Sequence, residues 1–185
     1  QNIFVTAPFL AKPFDLELIY NTRSGKEEDA FSAPFNRSYQ VDFDGEEEIT
    51  RPTVKRILNE SKPDLVYLHK CISIPVLQAL VNSGIPLVRM EHDHDMYCMR
   101  KYKYNPLTRR ICTKKACRCC MFPCGAFLQR VRKDGKNKIE MASYSNHMRM
   151  LELNRKFTAF FAVTNYMKEE LIRQDFDSEK IHIFP

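Results

Sequence analysis

The chain has 185 residues, of which 44% are hydrophobic and 28% charged, and a formal net charge of +6. That is enough for one α/β domain with a real core, of ordinary globular composition. No apolar run approaches the roughly 18–20 residues that cross a bilayer, and neither GxGxxG nor a P-loop occurs among only five glycines. No secretory leader is read, and a start at Gln1 rather than Met suggests that residues precede it.

The charge is uneven. From Met99 to Glu140 there are thirteen Lys or Arg against two acidic residues, while Asp42, Asp44, Glu46, Glu47 and Glu48 form a dense acidic run. A surplus of this size suits an anionic partner such as phosphate, an acidic headgroup or nucleic acid; it also suits a solvated insertion kept soluble by charge.

In chain order, Asn2 to Thr6 reads as a short apolar strand ended by Pro8, and Leu16 to Tyr20 as a second. About nine residues between them are too few for a parallel crossover, which points to a missing crossover segment. Asn21 to Glu48 is polar, with Gly25, Pro34 and Gly45, and reads as loop with a short strand at Tyr39 to Phe43. Thr50 is placed to cap a helix carrying Pro52 in its first turn and Val54, Ile57 and Leu58 as its apolar stripe. Strand Leu65 to Leu68, helix Ile74 to Val81 stopped by Gly84, and strand Leu87 to Met90 follow. From Met99 to about Glu140 periodicity fades into a basic, cysteine-rich insertion. Ser143 to Asn154 reads as a helix and Thr158 to Val163 as a strand. A helix capped by Thr164 or Asn165 then runs through Ile172, and Ile181 to Phe184 is a last strand. The alternation predicts a Rossmann-like, doubly wound α/β fold: a parallel sheet covered on both faces.

In such a sheet ligands bind beyond the carboxyl ends of the strands. His69 and His92-Asp93 follow two adjacent strands, so they stand where a substrate would sit. His94-Asp95 is a second such step that competes with the first for that place.

Six of the seven cysteines lie at 98, 112, 117, 119, 120 and 124. Cys117 and Cys120 have CxxC spacing, which lets two thiolates reach one metal ion; Cys98 and Cys112 would complete four ligands for a structural zinc or an iron–sulfur cluster. Free thiols, with disulfides disfavoured, are the competing reading. Nearby Lys and Arg are expected to lower the thiol pKa values.

The order of several segments resembles the N-terminal half of retaining glycosyltransferases of family 4, which have the GT-B fold. They are Lys62-Pro63-Asp64-Leu65-Val66-Tyr67-Leu68-His69, Gly84-Ile85-Pro86-Leu87-Val88, His92-Asp93 with Cys98 six residues on, Phe161 to Leu171, and Lys180 to Pro185. The cysteine series 98, 112, 117 and 120 also matches places held by cysteine in many members. The first strand departs from the family, showing Thr6-Ala7-Pro8 where a Gly-rich turn is usual.

The resemblance implies that residues 1–185 are one acceptor-side Rossmann-like domain with an insertion at about 99–140, joined in a longer chain to a donor-binding domain not seen here. It implies sugar transfer from a nucleotide-sugar donor to a glycan or lipid-linked acceptor, of hexosyltransferase type, in the making of cell-envelope polysaccharide. His92 and Asp93 would be the catalytic pair, with His69, Lys101 and Lys103 on the acceptor side. Tyr97, Tyr102 and Tyr104 interleaved with Lys101 and Lys103 would suit peripheral contact with anionic lipid at the cytoplasmic face of a membrane. The alternative from the residues alone is a metal-stabilised basic module that binds nucleic acid, against which stands the confinement of the basic residues to one insertion.

Overall fold

A computed structural model describes residues 2–21, 28–105, 108–133 and 136–184; Gly25 and Pro185 lie outside them. Asn2 to Thr6 is not a strand but the start of helix α1 (Asn2–Leu10). β-branched Ile3, Val5 and Thr6 favour the extended reading. Yet Ile3, Ala7 and Leu10 recur at helical spacing, and they are the more buried positions, while Val5 and Phe9 are exposed. The crossover problem therefore dissolves. Strand β1 (Glu17–Tyr20) instead pairs in parallel with β2 (Arg37–Gln40), which lies two to three residues ahead of the expected Tyr39 to Phe43, and a short helix α2 (Glu28–Ser32) stands between them where loop is expected.

Helix α3 (Glu47–Ser61) begins three residues before the expected cap. Glu47 and Glu48 occupy its first turn, where the helix dipole favours negative charge. Thr50 is thereby turned inward: it is buried, and its hydroxyl donates to the Asp42 carbonyl at 2.8 Å. Gly45 makes room for this turn, since a Cβ there would lie 3.1 Å from Thr50 Oγ1 and 3.2 Å from Asp42 Oδ2. Lys62, in the left-handed region at φ 47°, ends the helix by donating its amide to the Leu58 carbonyl.

The main sheet is parallel throughout, in the order β10-β9-β4-β3. Its strands are β3 (Val66–Leu68), β4 (Leu87–Glu91), β9 (Ala159–Ala162) and β10 (Ile181–Ile183). Helix α4 (Ile74–Asn82) joins β3 to β4, and Gly84 at φ 74° turns the chain out of it. Helix α5 (Tyr144–Arg155) precedes β9, with Ser143 accepting the Asn146 amide as its cap. Helix α6 (Asn165–Arg173) joins β9 to β10 and is capped by Thr164, not Asn165: the Thr164 hydroxyl accepts the Met167 amide at 3.2 Å. A strictly sequential parallel order needs a crossover at each step, which these helices supply.

All five residues of β4 are buried. Side chains alternate along a strand, so Arg89 and Glu91 share one face. That face also carries Phe160, Ala162 and Ile181 and meets α4 and α5 in one core cluster with Leu77, Leu80, Leu151 and Phe157. Arg89 is only 1% exposed. Its Nε donates to Glu91 Oε2 at 3.0 Å, and its Nη1 donates to the Cys71 carbonyl at 2.9 Å and to Asn154 Oδ1 at 3.0 Å. A guanidinium buried in the core is tolerated because these acceptors satisfy it.

The insertion is more ordered than fading periodicity suggests. It holds a two-residue antiparallel pair, β5 (Tyr104–Asn105) with β6 (Arg110–Ile111), a 3-10 turn at Arg118–Cys120, and a hairpin of β7 (Leu128–Lys133) with β8 (Lys136–Met141). The register of this pair runs from Leu128 opposite Met141 to Lys133 opposite Lys136.

Two predictions follow from the core. Arg89→Met leaves Glu91 buried without its partner and should lower the unfolding free energy by about 3–5 kcal/mol, with Glu91→Leu added to it recovering much of the loss; urea unfolding of both variants checks this. His147 on α5 is held by burial well down, to about 4, and its Nε2 has no hydrogen-bond partner. The unfolded chain therefore binds the proton first as pH falls, so stability drops between about 6.5 and 4, by up to roughly 2–3 kcal/mol. His147→Gln should shrink the difference between urea midpoints at pH 4.5 and 7, and an unchanged difference would refute the assignment.

Candidate functional site

Strands β3 and β4 lie side by side in register, Leu68 opposite Arg89. Their carboxyl ends therefore release His69-Lys70 and His92-Asp93 next to each other. The His69 and His92 rings stand 6.3 Å apart. His92 is exposed and His69 half-buried against Tyr67, ring centroids 4.6 Å apart. Burial, with the neighbouring His92 adding to it, pushes His69 down to about 4, so near neutral pH its ring is uncharged and offers one donor and one acceptor. From Tyr67 an aromatic row continues to Phe161 on β9, 6.4 Å away, and from there to His182 on β10 and Phe184 at 6.3 and 5.8 Å.

Asp93 is committed to local contacts. One oxygen accepts the Asp95 amide at 2.9 Å and the other meets Lys70 Nζ at 3.0 Å. Burial opposes its ionisation, but the Asp95 amide and Lys70 together hold the carboxyl below the usual range. Lys70 also meets Asp95 at 2.7 Å, so one ammonium ties the loop after β3 to the loop after β4. Lys70 and Glu91 are the participants that sequence reading passed over. Both adjoin the singled-out histidines, but nothing in the sequence shows that Lys70 reaches across. Glu91 is 1% exposed, one of its oxygens lacks a hydrogen-bond partner, and burial pushes its carboxyl up to about 7 despite Arg89.

The second His-Asp step turns inward. His94 Nδ1 and the hydroxyl of buried Tyr97 are 2.6 Å apart, and Asp95 is buried on Lys70. Of the two steps, His92-Asp93 is therefore the one at the open end of the sheet.

The expected acceptor-side lysines separate. Lys101 is exposed, but Lys103 is 3% exposed and cannot meet an acceptor. Its Nζ forms an ion pair with Glu170 Oε2 on α6 at 2.7 Å and donates to the Lys114 carbonyl at 2.9 Å. These two partners, supplied from α6 and from the other side of the β5–β6 pair, hold the ammonium inside. Tyr97 is likewise buried, which removes two of the five residues from the proposed Tyr/Lys interleaving and leaves Lys101, Tyr102 and Tyr104 exposed. Beside Lys103, the Ala116 amide donates to Gln174 Oε1 at 3.0 Å and Lys115 pairs with Asp175, so the insertion is clamped to the end of α6.

None of the seven cysteines is joined in a disulfide. Cys117 and Cys120 sulfurs stand 4.0 Å apart. Among the described residues no three His, Cys, Asp or Glu side chains are gathered closely enough to hold a metal ion as they stand. The expectation that basic neighbours lower the thiol pKa values is not met where a shift is resolved. Burial, with neighbouring cysteines adding to it, pushes Cys120 up to about 11 and raises Cys124, outweighing Arg100 beside the latter.

Among the described residues no helix is long and apolar enough to cross a membrane. No curated protein matches the chain significantly. Among solved structures, a Listeria monocytogenes protein assigned as a UDP-N-acetylglucosamine 2-epimerase superposes with a TM-score of 0.55 at 12% identity, covering 97% of this chain and 41% of its own. The UDP-GlcNAc 2-epimerase of Neisseria meningitidis, bound to UDP-GlcNAc, gives 0.52 at 13% identity, covering 98% of this chain and 42% of its own. At such identities the likeness shows the fold, a Rossmann-like α/β domain, and the chain spans about two fifths of the length of these neighbours. The family model for Glycosyltransferase Family 4 matches residues 9–185, nearly the whole chain, and the chain belongs to that family.

Proposed function

We propose that this chain is the acceptor-side domain of a glycosyltransferase that moves a sugar from a nucleotide-sugar donor to a glycan or lipid-linked acceptor. The observation that carries this reading is the pairing of His69 and His92 at the carboxyl ends of adjacent parallel strands, in a chain of this family. An imidazole at that place can hydrogen-bond a sugar hydroxyl and orient it. The aromatic row through Tyr67 and Phe161 offers flat apolar surface beside it. UDP-GlcNAc in the Neisseria meningitidis neighbour supports a nucleotide sugar as donor. Donor contacts are assigned to a second domain in a longer chain. Hexosyl transfer in the making of cell-envelope polysaccharide, on the cytoplasmic side of a membrane, is the setting we infer, with exposed Lys101, Tyr102 and Tyr104 as the surface for peripheral lipid contact.

Within this reading His92 contacts the acceptor. Asp93 is a positioning residue, because Lys70 and the Asp95 amide occupy its two oxygens and fix the loop that carries His92. The nucleic-acid alternative is weakened by the burial of Tyr97 and Lys103, which breaks the basic-aromatic stripe it relied on.

His92→Ala in the full chain should lower kcat for sugar transfer about 100-fold and leave donor KM unchanged. Lys70→Met should raise acceptor KM by loosening the loop. Unchanged transfer in His92→Ala, or binding of a mixed-sequence RNA that is lost in Lys101→Ala and screened by salt, would overturn the reading.

A further inference from the structure

The cysteines of the insertion take no part in the proposed transfer, and they are not scattered. Cys112, Cys117, Cys120 and Cys124, with Cys119, line a single pocket of about 270 Å³ together with Asn105, Arg110 and Lys114. The Cys117–Cys120 sulfur separation of 4.0 Å is close to the edge of a tetrahedral zinc–thiolate site, about 3.8 Å for zinc–sulfur bonds of about 2.3 Å. Within the 3-10 turn each of these two sulfurs accepts the backbone amide of the other residue, the Cys117 amide reaching Cys120 Sγ at 3.5 Å. Cys124 Sγ takes the Asn105 side-chain amide at 3.8 Å. Amide donors aimed at sulfur suit thiolate, a stronger acceptor than thiol. The four residues also fall within one short stretch of chain, so little loop entropy opposes bringing their sulfurs together.

We propose that Cys112, Cys117, Cys120 and Cys124 bind one zinc-type divalent cation as a closed structural site. Cys124 thus replaces Cys98 in the set read from the sequence, because Cys124 lines the pocket and Cys98 does not. Cys119 is exposed and serves no ligand role. Four zinc–sulfur bonds form, four thiol protons leave to solvent, and the centre carries a net charge of −2 that Arg110 and Lys114 at the pocket wall offset. Four soft sulfur ligands select zinc over calcium or magnesium and leave no position for water, so the site is structural. Closing it requires the Cys112 and Cys124 sulfurs to move in on the preformed Cys117–Cys120 pair, with the insertion already held to α6 by Lys103 and Glu170.

The test is the metal content of the protein purified under reductant without chelator, by plasma mass spectrometry, followed by cobalt replacement. The proposal expects about one zinc per chain and, with cobalt, thiolate charge-transfer absorbance. Both should persist in Cys98→Ser and Cys119→Ser and disappear in Cys117→Ser and Cys124→Ser. Circular dichroism should show the α/β signal in every variant, separating loss of ligand from failure to fold. Failure of the wild-type protein to take up added zinc would overturn the proposal. So would zinc retained in Cys124→Ser but lost in Cys98→Ser, or iron with sulfide in place of zinc. None of these readouts depends on sugar transfer.

Discussion

Strand β4 is the constraint on which the rest of the domain depends. It is paired on both edges and buried at every residue, so its register with β3 and β9 fixes where each carboxyl end stops. Burial on both faces would suit a purely apolar strand. Arg89 and Glu91 break that rule, and the break is compensated by contacts to α5 and to the chain before α4. A slip of one residue would turn Arg89 and Glu91 onto the opposite face, away from Asn154 and the Cys71 carbonyl. The buried pair therefore penalises other registers more than it adds stability. The same register sets His92 beside His69.

A second layer of specification comes from charged side chains that reach between segments far apart in sequence. Lys70 ties the loop after β3 to the loop after β4, and Lys103 ties the insertion to α6. The latter pair is the more demanding, since both partners are nearly inaccessible and each would be costly if left alone. The basic character of residues 99–140 thus serves two purposes. Part of it is internal and holds the insertion in place, while Lys101, Arg109, Arg110 and Arg118 remain exposed to solvent.

The periodic parts of the fold were legible from the residues. Strands β3, β4, β9 and β10 and helices α4, α5 and α6 fall within a residue or two of their expected bounds, because apolar spacing and turn residues agree there. Legibility failed where one signal stood against another. At Asn2 to Thr6, β-branched residues hid a helical spacing; at Thr50, a good capping residue masked a start three residues earlier. The place of His92 was readable because strand ends have a fixed meaning in parallel sheets. The burial of Lys103 was not, since it depends on a partner, Glu170, far along the chain.

The central claim is that the carboxyl ends of β3 and β4 form the ligand-facing edge of the domain. Histidine ring resonances followed by NMR while UDP-N-acetylglucosamine and then a mixed oligosaccharide library are added would test it most directly. The account predicts that His92 and His69 shift together with the oligosaccharides, while His147, enclosed on α5, stays still. Oligosaccharide binding that leaves both His69 and His92 unmoved would contradict it.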